Sequence, residues 1–299
     1  MKIGCIGMTT LDTLLFADVL PVEDEVISRV ESAYRCLGGK GMVTALSVFA
    51  QGADVSLFTL VGDSTQIKQR LPMGFCSDYL LEALEANNRT WIPIASHERF
   101  AVFVYSSDLL QDVPNSVLNM LRTFVSEIDI LYLTTEYMFV VREAARMALE
   151  CAVPLITNVN SALMSDSDCS DDDLRELLLT FSSSVIMNDH ESTQALAKLN
   201  LKTWGDVSSS RLKEIVVTKG EEGGVVSSRP FRDWQSFPAD VVKTPVCSVG
   251  AGDTFNAGYL VARFVQGKSP LDSCKYGARV AAEKLDIPSS TLYRGVRIV

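Results

Sequence analysis

Short apolar runs alternate with longer amphipathic stretches through most of this chain, and that rhythm limits the fold more than any other feature. Lys2 to Gly7, Asp54 to Val61, Ile128 to Thr134, Val153 to Thr157, Ser184 to Met187 and Ile215 to Thr218 read as strands. They are brief, rich in Val, Ile and Leu, and hardly alternate with polar residues. Strands covered on both faces have this composition, which points to a parallel sheet. Between them, Met42 to Ala50, Asp78 to Glu85, Val140 to Cys151, Asp171 to Phe181 and Thr193 to Leu199 read as helices. Units alternating in this way predict an α/β sandwich with right-handed crossovers.

Two regions break the rhythm. Residues 13–36 contain period-two fragments such as VISRVESAY, and residues 91–106 contain WIPIA and RFAVFVYSS. Both predict strands exposed on one face. A small second sheet inserted into a single domain over residues 1–299 accounts for them; a pair of surface hairpins is the plainer reading.

Composition removes several function classes. With 47% hydrophobic and 21% charged residues over 299 positions, the chain supports a full core. Lys and Arg number 27 against 37 Asp and Glu, a net charge of −10, which argues against a general nucleic-acid binder. The start, MKIGCIG, shows no charged leader before a long apolar stretch, and no run approaches a membrane span. The expected location is the cytoplasm, with no membrane partner. The seven cysteines are odd in number, widely spaced and without a CxxC pair, so they read as free thiols in a reducing compartment. His97 and His190 are the only histidines, too few for a multi-histidine metal site, and a histidine triad would have to use one of them. The acidic run Asp166 to Asp173 lacks the spacing of a calcium loop and reads as a solvated helix start.

The segment with the most chemistry is Cys247-Ser-Val-Gly-Ala-Gly-Asp253-Thr-Phe-Asn-Ala-Gly258. Asp240 to Val246 before it reads as a strand. An amphipathic helix follows it, with Gly267 as its stop. A Gly-Ala-Gly turn therefore opens a helix that carries an aspartate in its first turn. Small residues let backbone approach a ligand, and the helix start favours an anion. Phosphoryl transfer to a hydroxyl needs this pairing: Asp253 to accept the hydroxyl proton, and the amides of Gly250, Ala251 and Gly252 to stabilise the moving charge. A helix cap after a glycine turn is the structural alternative.

Ser248 to Ala257 resembles the C-terminal motif of the ribokinase-like (PfkB) family of carbohydrate kinases, usually written DTxGAGD. The resemblance is collinear over nearly the whole chain, and the closing stretch Gln266 to Gly277 is similar to that of the family's ketohexokinase and ribokinase members. It implies a three-layer α/β/α sandwich with a small β-sheet lid, formed here by insertions at about 13–36 and 91–106. Leu37-Gly38-Gly39-Lys40-Gly41 resembles the family's sugar-binding glycine element, and it lacks the spacing of a Walker A loop. Asp12 and Glu136 stand where the family places carboxylates that meet sugar hydroxyls. Gly38, Gly39, Lys40, Asp12 and Glu136 are thereby implied substrate residues. Asn188 and Glu191, in Met187-Asn-Asp-His-Glu191, match the NxxE element that arranges magnesium and phosphates, partly through water; a capping pair is their alternative. Thr218 and Gly220 match the nucleotide loop, and with Asn188 they are the implied ATP contacts. His190 matches no role.

The chain departs from the pattern at two places. Val43 stands where the family's asparagine binds sugar hydroxyls, so ribose or fructose is not carried over. Cys247-Ser248 replaces an Asp-Thr pair that helps hold a monovalent cation in many members, which weakens the expectation of that ion. The resemblance implies an enzyme that uses ATP and magnesium to phosphorylate a ketohexose, a pentose or a similar small carbohydrate. A nucleoside or cyclitol kinase on the same scaffold is one alternative, and an inactive ligand-binding relative is another. A homodimer through the lid is a further expectation. A nicotinamide dehydrogenase is excluded, because Gly4-Cys-Ile-Gly7-Met is no GxGxxG.

Overall fold

The computed structural model describes residues 1–18, 20, 29–84, 86–95, 98–99, 102–104, 114–160, 169–208 and 211–298. His97, residues 166–168 of the acidic run, and parts of both predicted insertions lie outside the described residues.

Most of the strands join one sheet of nine. In chain order they are β1 (Lys2–Ile6), β4 (Asp54–Val61), β5 (Leu80–Glu82), β9 (Ile130–Thr134), β10 (Leu155–Asn158), β11 (Ser184–Asn188), β12 (Glu214–Thr218), β13 (Gly224–Ser228) and β14 (Trp234–Phe237). Their spatial order is β14-β13-β12-β11-β10-β9-β1-β4-β5. Pairing is parallel from β12 to β5, and β13 and β14 add an antiparallel edge.

Period two explains why the strands look continuously apolar. Leu131 and Leu133 join one core, together with Val185, Ile215 and Val217. Ile130 and Tyr132 join the other, together with Ile186 and Val216. Each strand thus feeds two cores through alternate residues, and both faces need helices to cover them. On the first face lie α3 (Asn115–Ser126), α4 (Met138–Glu150) and α5 (Asp171–Arg175), the last running on as a wider helical turn over Glu176–Phe181. The second face holds α1 (Lys40–Ala50), α7 (Ala251–Leu260) and α8 (Pro270–Leu285). Two further helices, α2 (Ser64–Lys68) and α6 (Asp189–Lys198), follow β4 and β11. The result is the three-layer α/β/α sandwich that the sequence predicts.

The second sheet is also present. It combines β2 (Thr10–Ala17), β3 (Val30–Gly38), β6 (Arg89–Ala95), β7 (Glu98–Arg99) and β8 (Val102–Val104). The short β15 (Val296–Arg297) pairs with β3 at Tyr34 and Arg35. Nothing in the sequence announces that last partner. Leu14, Cys36, Ile92 and Ile94 bury one face of this sheet against Cys247.

Two predicted elements are corrected. Asp78 to Glu85 is not a helix; its centre is β5, whose Leu80 to Glu82 pair with Thr59 to Val61. Pairing beside an apolar strand outweighs a weak helix preference there. Asp240 to Val246 is not a strand. Val241 is 88% exposed, and the amides of Val246 and Cys247 both donate to the Leu285 carbonyl, at 2.8 and 3.0 Å. The C-terminal end of α8 takes the hydrogen bonds that a sheet would have taken. The sequence reading also did not assign α3 and α8, which the structure contains.

Candidate active site

The turn before α7 is held by contact on every side. Gly250 caps the helix with φ 77°, in the left-handed region. A Cβ there would stand 1.9 Å from the Ser290 carbonyl oxygen and 3.2 Å from Val43 Cγ1. Only glycine satisfies both the backbone angle and the space. No side chain caps the helix, and the Ala251 amide donates back to the Ser248 carbonyl at 3.3 Å. The Thr44 hydroxyl of α1 donates to the Asp253 carbonyl at 3.4 Å, and Ser47 pairs with Thr254 at 3.3 Å. Behind them Tyr132 is fully buried, and its hydroxyl accepts from Asn256 Nδ2 at 2.9 Å. Burial, aided by the charge of Asp253, pushes the Tyr132 pKa well up, so its hydroxyl stays protonated. Asp253 itself is half-buried in the first turn.

A cavity of about 540 Å³ opens in front of this turn. Ala251 and Gly252 lie at its wall, as do Thr218 and Gly220. The rest is largely apolar and includes Phe237, Pro245, Ala282 and Leu285. Phe237 stacks on Phe255 with ring centres 5.6 Å apart. A slot with apolar walls and a polar end suits a flat heterocycle joined to an anion. Asn188 and Thr218 are cross-strand partners, which brings the two predicted nucleotide elements side by side.

Asn188 and Glu191 form a reciprocal cap of α6. The Glu191 amide donates to Asn188 Oδ1 and the Asn188 amide to Glu191 Oε2, each at 2.8 Å. The capping alternative is therefore realised. It still leaves carboxylate oxygen at the start of a helix. Among the described residues no group of three or more His, Cys, Asp or Glu could hold a metal ion. The pair fits a hard cation that arrives with a nucleotide and keeps its waters, and it does not fit a resident metal. His190 is exposed at the same helix start, and Lys219 reaches Asp189 at 3.5 Å.

Four of the predicted substrate residues, Asp12, Gly38, Gly39 and Lys40, form a second group at the start of α1, and Glu136 lies at the end of β9. Gly39 caps α1 with φ 86°. A Cβ on Gly38 would lie 1.9 Å from Asp12 Oδ2. Asp12 is only 4% exposed, and the hydroxyls of Thr10 and Ser290 each donate to it at 2.5 Å. Lys40 is half-buried in the first turn of α1. Glu136 follows β9, where it accepts from the Thr134 hydroxyl and from Asn160 Nδ2, the latter at 3.1 Å. Val43 is buried against the Gly250 turn, so this departure lies in the wall between α1 and α7.

Ser290 bridges the two groups, and sequence reasoning missed it. Its hydroxyl donates to Asp12 while its carbonyl packs on Gly250. Asn160, Thr10 and the Phe237–Phe255 stack were missed as well. A serine in the run Pro-Ser-Ser carries no local signal for a partner 278 positions away.

Burial raises the Asp12 pKa, opposed by hydrogen bonds from Ser290, Thr10 and Thr90. A carboxyl whose pKa is higher folded than unfolded costs stability above its folded pKa, and the cost fades as the pH falls. Asp12→Asn is thus expected to raise Tm by a few degrees at neutral pH, and by less in mild acid. Thermal melts across pH decide it; a lower Tm for the variant at neutral pH refutes it.

The pattern of the pfkB family carbohydrate kinases matches residues 1–291. This chain belongs to that family. Its members are phosphotransferases that act on an alcohol group. Ribokinase from Bacillus subtilis (strain 168) is 24% identical over 298 residues, covering 93% of this chain and 94% of the relative. A Burkholderia thailandensis nucleoside kinase solved with inosine superposes with a TM-score of 0.81 at 16% identity, over 99% of this chain and 94% of the other. Arabidopsis thaliana ribokinase, solved with ribose and ATP, gives a TM-score of 0.73 at 18% identity, over 96% and 93%. At these identities the two structures show the shared fold.

Proposed function

We propose that the chain transfers the γ-phosphate of ATP to a hydroxyl of a small carbohydrate, a ketohexose or a pentose, with Asp253 as the general base. One observation carries the reading. Asp253 stands in the first turn of a glycine-capped helix whose Ala251 and Gly252 share a cavity with Thr218 and Gly220. The acceptor oxygen attacks the γ-phosphorus. Its proton passes to the Asp253 carboxylate, the new O–P bond forms, and the bond to the β,γ-bridging oxygen breaks to release ADP. The amides of Gly250, Ala251 and Gly252 hold the charge that builds on the phosphoryl oxygens, that of Ala251 turning from the Ser248 carbonyl 3.3 Å away.

Thr218, Gly220 and Asn188 contact the nucleotide, with its base in the apolar slot. Asn188 and Glu191 would hold magnesium, which would neutralise phosphate charge there. Asp12, Gly38, Gly39, Lys40 and Glu136 meet the acceptor. The second sheet serves as a lid that keeps water out and suppresses ATP hydrolysis. Ile94 of that sheet lines the cavity, which supports this role.

Val43 favours a second reading. An apolar residue where a hydrogen-bonding one is expected suits a less hydroxylated or bulkier acceptor, such as a nucleoside. ADP release with ATP and magnesium, measured against ketohexoses, pentoses, nucleosides and cyclitols, separates the two. Turnover of nucleosides alone replaces the sugar reading. ATP binding without turnover of any acceptor points to the inactive relative.

The slot has its own test. Ala282→Trp fills the apolar wall and is expected to weaken ATP binding by about tenfold or more. Calorimetry reads this directly, and an unchanged Kd removes the base from the slot.

A further inference from the structure

Lys284 is the penultimate residue of α8 and has 0% exposure, unusual for an ammonium. Its Nζ donates to the Cys247 carbonyl at 2.7 Å. Cys247 begins the turn that ends in Gly250, and the Ala251 amide closes that turn on the Ser248 carbonyl at 3.3 Å. The amides of Val246 and Cys247 both donate to the Leu285 carbonyl, so the strand of chain entering the turn is clamped to the end of α8. From there the chain continues to Ser290, whose carbonyl packs on Gly250. The lysine therefore sits at the root of a loop that wraps the anion-binding turn.

A dissolved monovalent cation does not fit here. Cys247-Ser248 supplies no carboxylate beside the turn, and the Lys284 Nζ already occupies the Cys247 carbonyl. A second cation on that carbonyl would face a buried like charge in a medium that screens it poorly. The end of a helix, by contrast, favours a cation held in place.

We propose that Lys284 is the built-in cation of the phosphate-binding turn, a positioning residue that holds the Cys247–Gly250 backbone and makes the site independent of potassium. The proposal rests on the kinase reading above. Its amino group is part of the chain, so it is present at any salt composition. It touches neither substrate nor nucleotide; it acts through the carbonyl that sets the turn.

The first test needs no variant. ATP binding to the native chain, by calorimetry, and ADP release with the acceptor found above are each measured in potassium chloride and in tetramethylammonium chloride. Both are expected to agree within about twofold between the two salts. A rise of about tenfold or more with potassium overturns the proposal and leaves the kinase reading standing. A native chain that binds no ATP in either salt overturns the kinase reading, and the proposal falls with it. The second test is Lys284→Ala. Expected is a fall in kcat of about 10- to 100-fold with little change in KM for the acceptor, partly restored by ethylammonium or potassium. A purely structural lysine would lower Tm without rescue by a small cation. A variant with native kcat, or one that no cation restores, overturns the proposal.

Discussion

Asp253→Asn is expected to lower kcat by a factor of about 10³ to 10⁴, while Kd for ATP stays within about threefold. The asymmetry follows from position. Asp253 lies in the first turn of α7, and the cavity that suits the nucleotide is walled by Ala251 and Gly252 beside it. Asparagine keeps the shape and the helix, because the Thr44 hydroxyl donates to the Asp253 backbone carbonyl, which remains. What is lost is the ability to take a proton. The nearby Tyr132 cannot replace it, since burial alone, the larger cause of its raised pKa, keeps its hydroxyl protonated when the Asp253 charge is gone. Steady-state kinetics and calorimetry on the same preparation check both halves. A variant that keeps full turnover on a verified acceptor removes Asp253 as the base.

Gly250→Ala should be a damaging addition of a single methyl group. Two penalties coincide: φ of 77°, and a Cβ only 1.9 Å from the Ser290 carbonyl oxygen. The first costs about 1 to 2 kcal/mol, and the second forces backbone to move. Gly52→Ala separates them. Gly52 has φ 75° with nothing within 4 Å of a Cβ, so it carries the strain without the clash. Gly52→Ala is expected to lose about 1 kcal/mol and no activity. Gly250→Ala is expected to lose at least twice that, with kcat down by about 10² to 10³ as the amides leave their places. Equal losses of stability in the two variants, with kcat intact in Gly250→Ala, would show that the turn does not need its closeness to Ser290.

How much of this was legible beforehand depends on the distance over which each feature is encoded. The strands of the main sheet could be read because each carries its own apolar run, as in Ile130–Thr134. Asp253 and its turn could be read because the motif is contiguous. The short edge strand at Leu80–Glu82 could not, because it is defined by its neighbour Thr59 to Val61 and by nothing within itself. The stretch Asp240 to Val246 failed for the same reason in reverse: strand-like letters met a helix end with free carbonyls. Ser290 and Lys284 were hidden because their partners, Asp12 and Cys247, lie 278 and 37 positions away. Local pattern carries the frame and the candidate site groups, while the parts that hold those groups in place are set by tertiary contact.

An interior strand of the main sheet comes first in the chain. β1 sits between β4 and β9, with Ile3 opposite Val55 on one side and Ile130 on the other. The first ladder closes early, but the second waits for a segment more than a hundred residues later. Loop closure of that length must precede the contacts that reward it, so refolding is expected to be slow. During the delay β1 presents an unpaired edge that is apolar beyond Lys2, and collisions between chains compete with completion. Refolding yield should therefore fall steeply with protein concentration, even where the native state is stable once formed.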